Sequence, residues 1–222
     1  MWGFILNFQL EPFLEILRDY NTDIWPIQIF AYIIGVISII LAFRNGKYSS
    51  KLISAVIAFY WLWTGIVFSL YYWNSNYAPA SIFGWIFTVE GILFVYAGIF
   101  RSDIIFKYTS GYIAVTGIIF VSYAMIGYPV LGYFLGHTYP SSFPFGLVPC
   151  PVNIFTIGVL MLTSNSFPKY LLVIPFLWTL AGIPPISVGI YEDIGMLTAG
   201  ITGTYLILMK DRKNKEKSAA LT

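Results

Sequence analysis

The stretch LISAVIAFYWLWTGIVFSLYYW, residues 52–73, carries no charge between Lys51 and the polar Asn74-Ser75-Asn76. A spanning helix needs about 20 apolar residues, so this run is long enough to cross a bilayer. In hydrocarbon its backbone groups can be satisfied only within the segment, which makes it a helix. Further apolar stretches lie to either side, at 24–43, 82–100, 112–134, 151–163, 170–190 and 194–209. The fifth of the seven is well short of the usual length, and the seventh reaches it only if it starts at Glu192 and runs to Lys210.

Composition agrees with this reading. Of the 222 residues, 58% are hydrophobic and 10% charged, whereas a soluble domain carries about 25% charged residues. A chain this poor in charge cannot cover a water-facing surface, which excludes a sizeable soluble domain. The fold class read from the sequence is therefore all-α integral membrane, with seven transmembrane helices and the bilayer as its solvent. A net charge of +2 gives no footprint for nucleic acid. One cysteine, Cys150, excludes an intrachain disulfide framework and a CxxC metal or redox motif.

Loop charge sets the expected orientation. Arg44, Lys47 and Lys51 follow the first stretch, Arg101 and Lys107 the third, Lys169 the fifth, and Lys210, Arg212, Lys213, Lys215 and Lys217 the seventh. The alternate connections hold no Lys or Arg, and one holds Glu192 and Asp193. By the positive-inside rule, in a cell membrane the N-terminus is outside and the C-terminus cytoplasmic, with Arg18 the exception. No basic leader or small-residue cleavage site is read in the first residues. Three regions follow. Residues 1–23 form an outer interfacial segment, with a short amphipathic helix from Glu11 to Tyr20 that rests on the membrane or packs as a lid. Residues 24–210 form the membrane domain, and 211–222 a disordered basic tail.

Two features suggest internal symmetry. Pro26-Ile27-Gln28-Ile29-Phe30 has the residue order of Pro151-Val152-Asn153-Ile154-Phe155. Ile57 to Trp61 likewise matches Ile174 to Trp178, with Gly65-Ile66 and Gly182-Ile183 in register. A 3+1+3 parallel repeat, known among small-solute transporters, satisfies both the pattern and the topology.

The segments Gly136-His137-Thr138-Tyr139-Pro140, Phe145 to Pro151 and Ile154 to Gly158, together with Asn21 to Gln28 around Trp25-Pro26, carry a resemblance. They are similar to an uncharacterised family of prokaryotic multi-pass membrane proteins, a domain of unknown function. The likeness covers most of the chain, with its specificity between His137 and Gly158. It implies a membrane location and supplies no activity.

Candidate chemistry is sparse. The proline-rich connection 136–149 leads into the shortest stretch and is expected to dip into the membrane from outside, which backbone can do only where protein or a wet cavity surrounds it. That places Cys150 and Asn153 at a helix N-terminus, where free amides favour an anion. Cys150 and His137 then make either an anion or metal contact, or a buried thiol and a satisfied loop residue. Glu90 alone among the charged residues falls well inside a stretch, and must there be neutral, wet or bound to a cation. It either handles protons or cations, or is protonated and pins two helices. Gly84, Gly91 and Gly98 recur on the same helix and predict a close seam. Prolines at 129, 175, 184 and 185 free carbonyls. Trp25, Trp73 and Tyr77 read as interface anchors or core packing.

The binding candidates are thus Glu90, Asn153, Gln28, His137 and Cys150, with no catalytic residue, metal centre or cofactor assigned. The leading function is a small-solute or ion transporter or channel with an outward-facing vestibule and a midplane carboxyl. The alternative is a membrane-embedded enzyme, a hydrolase or thiol- or metal-dependent protein, with an outer site near His137 and Cys150. A structural subunit and self-association into a homo-oligomer stay open.

Overall fold

The computed structural model describes residues 9–219 apart from 45, 76 and 165. The first eight residues of the expected outer segment and the last three of the tail lie outside the described residues. The chain is all-helical: α1 Leu10–Asp23, α2 Ile27–Arg44, α3 Ser49–Tyr72, α4 Ala80–Phe100, α5 Tyr112–Phe134, α6 Pro149–Leu160, α7 Lys169–Ser187 and α8 Asp193–Ala219. Among the described residues the only strand-like pairing is an isolated bridge between Phe106 and Thr163. Helices α2, α3, α4, α5 and α7 are long and apolar enough to cross a membrane.

Sorting by side-chain size builds the bundle. Helix α2 turns Ala31, Gly35, Ser38 and Ala42 inward at helical spacing and exposes Ile29, Phe30, Ile33, Val36, Ile37, Ile40 and Phe43. Small residues let backbones approach, while the exposed stripe is far too apolar for a water-facing helix. Helix α4 packs its glycines against α3: a Cβ on Gly84 would meet Leu70, on Gly91 Leu62, and on Gly98 Ser54. That is the seam expected from the spacing.

The prolines act as expected in α5. Pro129 has no N–H for the carbonyl four residues back, and a π-turn over Tyr123–Gly127 lies just before it. The freed Met125 carbonyl accepts the Tyr32 hydroxyl at 3.0 Å. Helix α7 breaks at Gly182, ahead of Pro184 and Pro185.

Helix α6 is the axis of the molecule. Its twelve residues rise about 18 Å, and all but the half-buried Cys150 are buried. It packs chiefly on α5 and α8. The preceding connection enters the bundle rather than capping it. Phe143, Phe145, Leu147 and Val148 are buried, and the Phe145 ring packs on Tyr32 and Tyr60. A Cβ on Gly35 would lie 2.7 Å from Phe145, placing the loop about 12 Å along α2 at helical rise. Gly146 makes the turn at φ +77°, where a side chain would also strike Tyr60. The inward dip and the shortness of α6 have one cause: the loop occupies the first part of the depth.

The crossing of α5 and α6 gives a first prediction. A Cβ on Gly158 would stand 2.8 Å from the Gly117 carbonyl oxygen and 3.0 Å from the Val121 nitrogen, both backbone atoms that cannot step aside. Gly158→Ala is expected to destabilise the protein by about 1–3 kcal/mol, read as a lowered midpoint in thermal unfolding of the detergent-solubilised protein. An unchanged midpoint would show that the helices separate freely.

Helix α1 buries Phe13, Ile16, Leu17 and Tyr20 and exposes Glu11, Glu15 and Arg18. Its apolar face covers the protein. The Tyr20 hydroxyl donates to the Leu147 carbonyl at 2.7 Å, and the Asn21 amide to the carbonyls of Pro140 and Ser142. At the other end the tail corrects the expectation of disorder, since α8 runs through it to Ala219. Asp211 explains this: it pairs with Lys169 and accepts from Ser166, while Lys210 donates to the Thr163 carbonyl. Arg212 and Glu216 add a pair one turn apart.

The paired motifs of the sequence repeat occupy unlike places. Gln28 is half-buried with Ile29 and Phe30 exposed, whereas Asn153, Ile154 and Phe155 are fully buried.

Candidate functional site

A cavity of about 90 Å³ opens at the α1 end of the bundle, room for several waters or a small solute. Six aromatic rings border it: Phe13, Trp73, Tyr77, Phe83, Phe143 and Trp178. Trp73 is stacked with Tyr77 and Phe83, at ring separations of 5.6 and 5.8 Å. The polar border includes Cys150 and Asp193, which share one contact: the thiol donates to Asp193 Oδ2 at 3.5 Å. The Tyr128 hydroxyl donates to Oδ1 at 2.6 Å. Asp193 is fully buried and, among the described residues, pairs with no Lys, Arg or His.

Behind the Phe143 ring, which lies 5.5 Å from the imidazole, His137 Nδ1 meets Glu192 Oε1 at 2.6 Å with both side chains buried. Glu192 Oε2 has no hydrogen-bond partner among the described residues. Consecutive residues 192 and 193 thus face different partners, one His137 and one Cys150 with Tyr128. The start of α8 holds them: the Tyr123 hydroxyl donates to the Glu192 carbonyl at 2.8 Å, and Gly132 has no side chain where one would press on Glu192 Oε1.

These contacts rearrange the expectations. Cys150 does sit at the start of α6, but the anion at that terminus is the chain's own Asp193, which leaves the thiol unsuited to a second anion. His137 and Cys150 have separate partners, and among the described residues no three His, Cys, Asp or Glu side chains converge to hold a metal. Asn153 lies deeper and donates to Thr179 Oγ1 at 2.9 Å. Gln28 donates to the Asn21 carbonyl at 2.8 Å, tying α2 to α1 away from the cavity. Trp73 and Tyr77, read from sequence as interface anchors or core packing, border the cavity. Tyr128, Phe143 and Trp178 were not singled out as site residues, because one aromatic among many in an apolar run carries no signal of its own.

Glu90 is fully buried, and neither carboxyl oxygen has a hydrogen-bond partner among the described residues. On α4, Phe83, Phe87 and Glu90 fall at i, i+4 and i+7, one helix face. Phe83 borders the cavity, and Glu90 lies about 10 Å further along the helix. Between them Phe87 meets Trp178 edge to face at 4.7 Å and Trp61 at 5.4 Å.

Residues 10–218 match DUF6064, a family of unknown function. The chain belongs to this family. No curated protein and no solved structure matches it. For this DUF6064 protein the cavity and the carboxyl beyond it are therefore read on their chemistry alone. Charge is also divided between its ends. Glu11, Glu15, Asp19, Asp23, Glu192 and Asp193 lie on α1 and the start of α8, with Arg18 the one basic residue there. Arg44, Lys51, Arg101, Lys107, Lys169 and Lys210 mark the opposite end.

Proposed function

We propose that this protein is a membrane-embedded small-solute or ion transporter or channel, with the cavity as its outer vestibule and Glu90 as the carboxyl inside the passage. Seven crossings fit the chain, since α8 presents Ile194, Ile201, Tyr205 and Leu208 outward and α6 crosses enclosed by its neighbours. The division of charge between the ends supports an orientation with α1 outside and the end of α8 in the cytoplasm.

One observation carries the proposal. A buried carboxyl with no hydrogen-bond partner among the described residues lies on the same helix face as the cavity wall, with the Phe87–Trp178 contact between them. A polar group is kept at such a place at a cost in stability, and intramembrane carboxyls of this kind mark solute and proton paths. The enzyme reading lacks the pairing it was built on: the thiol meets Asp193 and the imidazole meets Glu192, so His137 is not the base beside Cys150.

The purified protein in proteoliposomes, challenged with a panel of amines, amino acids, sugars and carboxylates on a solid-supported membrane, should give a transport current or a pH-dye response with at least one class. Glu90→Gln should abolish it. Silence across the panel, or full activity in the variant, overturns the proposal. Orientation has its own check: Cys150 in intact cells should react slowly with an impermeant maleimide added outside, and reaction only from the cytoplasmic side would reverse the assignment.

A further inference from the structure

We infer that the outer cavity takes the ammonium group of an organic cation, seated among aromatic rings with Asp193 as its counter-ion. The inference rests on the transport reading for the side from which the ligand arrives, and on the cavity itself for its chemistry.

Three features converge. First, the border combines six aromatic rings with a carboxylate. Ring faces attract a cation within about 6 Å of the centroid, and enclosures of this composition recognise alkylated ammonium groups. Second, the two oxygens of Asp193 are unequally held. Oδ1 takes a short bond from Tyr128 at 2.6 Å, whereas among the described residues Oδ2 has only the thiol at 3.5 Å. A thiol is a weak donor, so Oδ2 is the atom with capacity left, and it belongs to the carboxylate bordering the cavity. Both donors are neutral, and no basic side chain pairs with Asp193 among the described residues. A buried carboxylate without a cation is incomplete, and a cationic ligand supplies the missing charge.

Third, the exposed charge of α1 is mainly acidic. Glu11, Glu15, Asp19 and Asp23 outnumber Arg18 at the end where the cavity opens, and a net negative field concentrates cations there. An anionic solute would meet repulsion at the mouth and again at Asp193. A neutral apolar solute would fill the rings but gain nothing from the carboxylate. The ammonium group can be that of a free solute or of a lipid head group, since both present the same charge.

The test is titration calorimetry of the full chain in phosphatidylglycerol nanodiscs, comparing choline with 3,3-dimethylbutan-1-ol, the same shape with carbon in place of nitrogen. Choline should bind, with the neutral compound at least tenfold weaker. Asp193→Asn keeps an acceptor for Tyr128 and should weaken choline at least tenfold while leaving the alcohol unchanged. Equal binding of the two compounds, or choline binding unaltered by Asp193→Asn, overturns the inference. Should that variant fail to fold, the wild-type comparison decides alone. Repeating the titration in phosphatidylethanolamine nanodiscs separates the sources: choline binding lost there assigns the site to a lipid head group, and binding retained assigns it to a free solute. The outcome is also separable from transport. No choline binding together with flux of another solute discards the ammonium site and keeps the transporter, whereas choline binding without any flux does the reverse.

Discussion

His137→Ala is expected to destabilise the protein by about 1–3 kcal/mol, the range for leaving a buried polar group without its hydrogen-bond partner. The imidazole and the Glu192 carboxyl meet at 2.6 Å with 5% and 0% of their side chains exposed. Glu192 Oε2 already lacks a partner among the described residues, so the variant leaves the whole carboxyl buried and without its hydrogen bond. The loss should spread along the 136–148 connection, because that segment holds α1 through Asn21. Thermal and denaturant unfolding in detergent would report the change, with proteolysis of α1 as a local readout. Adding Glu192→Gln to His137→Ala replaces the stranded carboxyl by a neutral amide and should recover more than half of the deficit. A single variant as stable as wild type would show that the pair contributes nothing.

Glu90→Leu should move stability and function in opposite directions. A buried polar group without a partner costs about 1–3 kcal/mol, and both Glu90 oxygens are in that position among the described residues. Leucine of similar reach removes the penalty, so the unfolding midpoint should rise while flux through proteoliposomes is lost. A carboxyl that pinned α4 to a neighbour by a hydrogen bond would give the opposite result, a lowered midpoint on the same substitution. The sign of the stability change therefore separates a functional carboxyl from a structural one before any substrate is known.

The long helices were legible because their signal is local. Charges at Arg44, Lys47, Lys51, Arg101 and Lys107 bracket apolar runs in which Glu90 is the one charged residue, and α2 to α5 follow those runs to within a few residues. The glycine seam of α4 was legible for the same reason, since one helix face carries it. Helix α6 was legible only in part: its shortness pointed to an entering loop, but full enclosure depends on neighbours far along the chain. The candidate site was the least legible. Cys150 meets Asp193 across 43 residues and His137 meets Glu192 across 55, separations that no spacing rule links. Loop charge reads the 136–149 connection and Glu192-Asp193 onto the same side, but which residue pairs with which is decided by tertiary packing. The tail was misread because its charge suggests solvation, while Asp211 and Lys210 are fastened to the connection between α6 and α7.

The enclosure of α6 also constrains how the chain is made. On the membrane reading proposed above, a helix of twelve residues with Asn153 and Thr156 at its centre is too short and too polar to leave the translocon for lipid by itself. Its partners lie on both sides in sequence: Gly117 of α5 is synthesised before it, but Thr179 of α7 and Gly203 of α8, whose missing side chain makes room for Ile157, come after. The nascent segment must therefore wait, held at the insertion machinery or at the interface, until the last helix arrives. A chain arrested before α8 should be a target for quality-control proteases, and assembly of this bundle is completed from its C-terminal end.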